Sequence, residues 1–131
     1  MRRSSDKKIY IGTMSGTSYD GIDICSLNVA NQISLLKFSS FKYPSQLRED
    51  ISRAIQRQEL SLDRYFDLNR RIGQAFSKSI KKFLTQNKIN KKNVAAIGLS
   101  GQTLFHKPKS RYPFSIQAGD PKIIANECEI D

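Results

Sequence analysis

Gly12-Thr13-Met14-Ser15-Gly16-Thr17-Ser18-Tyr19-Asp20-Gly21-Ile22-Asp23 is the stretch on which the fold turns. A short apolar run, Ile9-Tyr10-Ile11, precedes it, and Ile22-Asp23-Ile24-Cys25-Ser26-Leu27-Asn28-Val29 follows. The order is strand, small-residue turn, strand. Glycines at 12, 16 and 21 let the backbone come close to a ligand and take up positive φ where the turn needs it. The hydroxyls of Thr13, Ser15, Thr17 and Ser18, together with successive backbone N–H groups, suit phosphate oxygens. Asp20 and Asp23 stand where a metal riding on those phosphates is reached directly or through water.

Two common phosphate devices are excluded. The P-loop needs Gly-x-x-x-x-Gly-Lys-Ser/Thr opening a helix, and no lysine lies between Gly12 and Asp23. A dinucleotide fingerprint fails because the residues after Gly21 read as strand, not helix. Two readings remain: an ordinary Gly-rich hairpin turn, or the phosphate-binding β-hairpin of the sugar kinase, hsp70 and actin superfamily.

The longer string separates them. Met14-Ser15-Gly16-Thr17-Ser18-x-Asp20-Gly21-Ile22-Asp23 resembles the N-terminal signature of anhydro-N-acetylmuramic acid kinases. Asn69-Arg70-Arg71-Ile72-Gly73-Gln74-Ala75-Phe76 is similar to that family's central helix. Ile97-Gly98-Leu99-Ser100-Gly101-Gln102-Thr103-Leu104-Phe105-His106-Lys107-Pro108 is similar to its Gly-Gln-Thr segment. Pro113-Phe114-Ser115-Ile116-Gln117-Ala118-Gly119-Asp120-Pro121 is similar to its Gln-x-Gly-Asp segment. Four ordered motifs between residues 9 and 125 make the resemblance specific.

The resemblance implies an α/β, RNase H-like N-terminal lobe of the actin-like ATPase superfamily. It implies ATP and Mg2+ as cofactors and an anhydro amino sugar as substrate. ATP would phosphorylate the 6-oxygen of 1,6-anhydro-N-acetylmuramic acid while water opens the anhydro bridge at carbon 1, giving N-acetylmuramic acid 6-phosphate. Such chemistry needs a phosphate cradle with magnesium, a sugar-binding surface and a base for the water. The cradle falls on Gly16, Thr17, Ser18, Tyr19, Asp20, Gly21, Ile22 and Asp23, with Asp20 toward the metal. Gln102, Thr103 and Asp120 are candidates for the sugar, because amide, hydroxyl and carboxylate hydrogen-bond to hydroxyls and N-acetyl groups. Each has a structural alternative: Gln102 and Thr103 as loop stabilisers, Asp120 as a helix N-cap. His106 reads as a surface or structural residue of a loop. Ser100 stands where the family usually has histidine, and Leu99 where it has serine, which bears on sugar specificity.

The family's catalytic aspartate lies in an Asp-Phe-Arg motif just beyond the region matching Ile130-Asp131, and family members are more than twice as long. Residues 1–131 are therefore expected to be one N-terminal lobe, inactive in isolation. Either a further part of the same protein or a complementary C-terminal chain completes it. The alternative is a non-catalytic nucleotide- or sugar-binding remnant, or one half of a split kinase.

Bulk properties narrow the partners. The chain has 131 residues, 38% of them hydrophobic, with a mean hydropathy of −0.50. No run of apolar residues is long enough to span a membrane, and the basic start, residues 1–8, leads into too short an apolar segment for a signal peptide. Cys25 and Cys128 lack metal-ligand spacing, Cys25 reads as a small core residue, and a reducing cytoplasm is the expected compartment. The net charge of +10 raises the question of nucleic acid. However, Lys78, Lys81, Lys82, Lys88, Lys91 and Lys92 gather at one helix end without interleaved aromatics on which bases could stack. A solvated basic face, complementing the helix dipole, is the expected reading.

Along the chain, residues 7–13, 21–29 and 32–41 read as a three-stranded meander with a turn at Asn31-Gln32. Ser45 is a candidate cap for a helix carrying Leu47, Ile51, Ala54 and Ile55. Ser61 opens a longer helix whose stripe is Leu62, Tyr65, Leu68, Ile72, Phe76, Ile80 and Phe83, ending near Asn87. Gly73 within it marks close packing against another element. Val94–Leu99 reads as a buried strand, and Ser100-Gly101-Gln102 as a loop at its end. A short strand follows at Phe114–Gln117, and Asp120-Pro121 opens a last helix over Lys122–Cys128.

Overall fold

A computed structural model describes residues 9–130. The expected frayed start and the first two residues of the expected first strand lie outside the described residues. Alternation along β1 (Ile9–Ser15) turns Ile11, Thr13 and Ser15 inward and Tyr10 and Met14 outward, the period of two that a half-covered strand requires. β2 (Gly21–Val29) and β3 (Ile33–Lys42) complete an antiparallel meander, with bends at 30–32 where the turn was expected. Then come α1 (Ser45–Arg57), α2 (Leu62–Gln86), a 3-10 turn at Lys91–Asn93, β4 (Val94–Lys107), β5 (Phe114–Ala118) and α3 (Pro121–Cys128).

The sheet order is β3-β2-β1-β4-β5. β4 runs parallel to β1, which the crossover through α1 and α2 makes possible. β5 returns antiparallel on β4. This mixed five-stranded α/β lobe, a meander followed by helices and a parallel strand, is consistent with the N-terminal lobe of an actin-like ATPase.

The core lies between one face of the sheet and the helices. Ile11, Ile22 and Ile24 meet Leu47 and Ile51 of α1 and Leu68, Ile72, Phe76, Ile80 and Phe83 of α2 in one buried cluster. Full burial of such side chains stabilises by about 1.5–3 kcal/mol each. The opposite face is open: Met14 is 61% and Phe38 60% exposed. Two expectations change here. Cys25 is half-buried, paired between Gly12 and Phe38 on the open face, and Ser26 takes the buried position instead. Within Val94–Leu99 only Val94 is buried; Ile97 and Leu99 share the covered face with Ile11 and Thr13 but are half-buried against the core.

α2 follows its sequence signals closely. Ser61 Oγ accepts from Arg64 N at 3.3 Å, and Asn87 is the C-cap. Leu68 through Phe83 of the stripe are buried, whereas Leu62, in the first turn, is exposed. A Cβ on Gly73 would lie 3.0 Å from Asp120 N, so the expected close neighbour is the start of α3. Arg71 Nη1 ties α2 to α1 through Asp50 Oδ2 at 2.8 Å. Burial alone would raise the Asp50 carboxyl, but hydrogen bonds from Arg71 and Gln46 and the charges of Arg71 and Arg53 hold it below its ordinary value.

Two end effects differ from expectation. Pro44, not Ser45, occupies the cap position of α1, and it supplies no side-chain hydrogen bond. The last turn of α2 contains no basic residue; Lys78, Lys81 and Lys82 lie before it, where the effect of the helix end has largely faded. Lys81 instead pairs with Glu127 at 3.5 Å, and Lys82 Nζ lies 5.8 Å from the Phe41 ring centroid.

Candidate phosphate-loop site

Residues 16–20 connect β1 to β2. Tyr19 N donates to Gly16 O at 3.1 Å, closing a four-residue turn. Its positive φ, 46°, falls on Tyr19 and not on Gly16, so the conformational reason expected for a glycine at 16 does not hold. Space is what Gly16 provides: an added Cβ would meet only Ser18 Oγ, at 3.9 Å. At Gly21 the case is reversed, since a Cβ would fall 2.2 Å from Phe41 O. Thr17, Ser18 and Asp20 are exposed. Tyr19 leans on α1, where Ser52 Oγ donates to its hydroxyl at 3.2 Å. The Ile22 side chain is buried in the core; only its backbone borders the loop.

Asp20 and Asp23 share a hollow of about 390 Å³ with Gly16, Ser18, Ser40 and Lys42. Arg48 Nη2 lies 3.1 Å from Asp20 Oδ1, an exposed pair, and Ser40 Oγ donates to Asp23 Oδ1 at 2.5 Å. Among the described residues no three His, Cys, Asp or Glu side chains converge on one point. Two carboxylates suit a hard cation that takes its other oxygens from phosphate and water.

The Gly-Gln-Thr segment is strand, not loop. β4 keeps one register with β1 from Tyr10↔Ala96 to Thr13↔Leu99, and the next pair is Ser15↔Gln102. β4 therefore carries one extra residue, a β-bulge at Ser100-Gly101. Gly101 has φ +67°, and a Cβ there would lie 2.8 Å from Ala118 O. The bulge re-aims Gln102 inward, where its side chain is fully buried.

A closed polar cluster forms around it. Gln102 Nε2 donates to Gly16 O and to Thr103 O, both at 3.1 Å. Ser15 Oγ lies 2.6 Å from Gln102 Oε1 and 2.9 Å from Gly21 O. Tyr43 OH, between β3 and α1, lies 3.0 Å from Ser15 Oγ and 3.3 Å from Gln102 Oε1. Burial pushes the Tyr43 phenol up to about 12, against the opposing hydrogen bond with Ser15. Gln102 thus joins the Gly-Gln-Thr segment to the N-terminal signature through hydrogen bonds.

The other expected residues are placed differently. Thr103 is half-buried and lines, with Thr17, Gln58, His106 and Lys107, a cleft of about 200 Å³ on the β4 side of the loop. His106 is exposed, as expected for a surface residue, but lies within β4. Ser100 is exposed, and its Oγ accepts from Ser15 N at 3.4 Å. Asp120 caps α3, accepting from Lys122 N at 2.9 Å, and its own N–H donates to Asn69 O at 3.1 Å. Asn69 Oδ1 also accepts from Gly119 N at 2.8 Å. Arg48, Tyr43 and Asn69 were not singled out from sequence; their partners lie 28 to 59 residues away, beyond any local pattern.

The family model for anhydro-N-acetylmuramic acid kinase matches residues 8–131. An anhydro-N-acetylmuramic acid kinase of Gamma-proteobacterium EBAC31A08 is 45% identical over 121 residues, 92% of this chain and 33% of that protein. The protein of the same name in Actinobacillus pleuropneumoniae serotype 7 (strain AP76) is 37% identical over 120 residues, 91% of this chain and 32% of that protein. That of Vibrio vulnificus (strain YJ016) is 36% identical over 128 residues, 97% of this chain and 35% of that protein. The chain spans about a third of the length of these curated relatives. With its glycine-rich hairpin, bulged Gly-Gln-Thr strand and capped last helix all within the matched region, the chain belongs to the anhydro-N-acetylmuramic acid kinase family.

Proposed function

We propose that this chain is the nucleotide-phosphate-binding lobe of an ATP-dependent kinase acting on 1,6-anhydro-N-acetylmuramic acid, with the reaction named above and a cytoplasmic role in amino-sugar recycling. The observation that carries the reading is the loop at residues 16–20. Its top is exposed and rich in hydroxyls and N–H groups, its feet are held by buried side chains, and Gly16 leaves open a space that the fold itself does not require. A phosphate fits that space; a side chain would fill it.

The loop amides and the Thr17 and Ser18 hydroxyls bind and orient the phosphates. Asp20 and Asp23 are the groups that would hold Mg2+, which supplies charge neutralisation on the phosphates when bound. The Arg48 pair with Asp20 is exposed and worth about 0–1 kcal/mol, so it yields to a divalent ion at little cost. Thr103, on the other side of the loop from that hollow, faces the acceptor, and Gln102 acts by holding the loop. Asp120 is proposed for the sugar only in so far as its capping role leaves it free. The base for the attacking water is assigned by the resemblance to an Asp-Phe-Arg motif, which this sequence does not contain. Both cysteines are unpaired, as in a reducing compartment, and among the described residues no helix is long and apolar enough to cross a membrane.

Titration of ATP into the 131-residue chain, with and without Mg2+, tests the reading. Binding is expected, tighter with the metal, and Asp20→Asn should weaken the Mg2+-dependent part about tenfold, or roughly 1.4 kcal/mol. Unchanged affinity in Asp20→Asn would move the metal role to Asp23. In a coupled assay, the same chain should release no ADP in response to the anhydro sugar. Sustained sugar-dependent turnover would show that the lobe carries a base of its own.

A further inference from the structure

The structure assigns to Tyr43 the role of a positioning residue that holds both feet of the phosphate loop through one buried hydroxyl. This inference rests on the phosphate-loop reading above and adds to it the group that sets the loop's shape.

Tyr19 is the loop's packed side chain, lying against the core with its hydroxyl on Ser52. Thr17, Ser18 and Asp20 are exposed, and its internal turn is one hydrogen bond, Tyr19 N to Gly16 O. What fixes it lies beneath. Gln102 Nε2 holds the first foot at Gly16 O, and Ser15 Oγ holds the second at Gly21 O. Both side chains meet Tyr43 OH, which is 5% exposed as a residue and belongs to neither strand of the hairpin.

Counting protons shows why the third hydroxyl matters. Gln102 Oε1 and Gly21 O are both acceptors that face this cluster. Ser15 carries one hydroxyl proton, so it can serve only one of them at a time. Ser15 Oγ is nearer Gln102 Oε1, at 2.6 Å, than Gly21 O, at 2.9 Å, so its proton goes first to the amide oxygen. The Tyr43 proton, within reach of Ser15 Oγ at 3.0 Å and of Gln102 Oε1 at 3.3 Å, is the second one the cluster needs before Ser15 can also serve Gly21 O. Without the Tyr43 hydroxyl, Ser15 must choose. Either the Gln102 amide, and with it Gly16, loses its fixed orientation, or Gly21 loses its side-chain anchor. A buried acceptor without a donor is costly, so the loop would exchange between two half-anchored states. A ligand that needs the anchored state then binds in proportion to its population.

Tyr43→Phe isolates the effect, because it removes the hydroxyl and keeps the ring in the core. Three quantities are read on the 131-residue chain: hydrogen exchange of the Tyr19 amide, ATP affinity with Mg2+, and the urea midpoint with exchange of the central α2 amides. The expected result is Tyr19 exchange faster by about tenfold and ATP affinity weaker by about tenfold, the scale of one lost hydrogen bond, with α2 protection changed much less. Tyr43→Leu should lower the urea midpoint further, and Tyr43→Phe should recover that midpoint without recovering loop protection. A purely structural tyrosine would behave oppositely: the phenylalanine variant would match the parent in loop exchange and ATP affinity. That result overturns the inference, as does faster Tyr19 exchange with unchanged ATP affinity. If the parent chain binds no ATP, the phosphate-loop reading itself fails, and Tyr19 exchange still decides whether Tyr43 anchors the loop.

Discussion

Gly16→Val is expected to fold like the parent chain and to lose ATP binding by about a hundredfold or more, the scale of about 3 kcal/mol. The two halves of this outcome have separate causes. Gly16 does not have a positive φ, and the space around an added Cβ is open except for Ser18 Oγ at 3.9 Å. A substitution there touches no core contact, so the change in stability should stay near the surface range of about ±0.5 kcal/mol. The lost binding comes from filling the space proposed for phosphate oxygens with a branched side chain. Gly16→Ala should be intermediate, since one methyl group intrudes less. Urea unfolding and ATP titration on the same preparations separate the terms. Normal nucleotide affinity in Gly16→Val would make the hairpin a structural turn only and leave the kinase reading without local chemistry.

The elements legible in the sequence were those specified by short-range rules. The apolar spacing from Leu68 to Phe83 and the Ser61 cap define α2 to within a residue, because a helix repeats its environment every turn. Asp120-Pro121 marks the start of α3 for an equally local reason. The hairpin was legible through its small residues. Apolarity alone places Cys25 in the core, but strand phase decides: Ile22 and Ile24 put Ser26, not Cys25, on the covered face. The bulge at Ser100-Gly101 left no periodic trace, since one extra residue in a strand looks like the strand's end. That one residue also decides which way Gln102 points. The Gln102 side chain, a sugar candidate whose alternative is loop stabilisation, is buried beneath residues 16–20, joined to Ser15 and Tyr43 by pairings that no window of sequence contains.

Gly21→Val is expected to prevent stable folding, with a loss of about 4 kcal/mol or more, in the exceptional range for a single substitution. Gly21 pairs with Lys42 across β2 and β3, and its missing side chain faces backbone: Phe41 O would lie 2.2 Å from a Cβ, and real contacts of that kind stay above 3.0 Å. A carbonyl in a strand cannot rotate away as a flexible side chain can. Relief requires separating the end of β3 from β2. That movement carries Tyr43, the residue after Lys42, away from Ser15 and Gln102, so steric strain and loss of the buried polar cluster arrive together. Gly21→Ala meets the same atom and should be destabilised nearly as much, which distinguishes close approach from bulk. Circular dichroism and urea unfolding provide the measurement, with Gly16→Val as the control five residues away. A parental midpoint in Gly21→Ala would mean that β2 and β3 are not closed against each other at the loop. The anchoring assigned to Tyr43 would then have no fixed frame to act from.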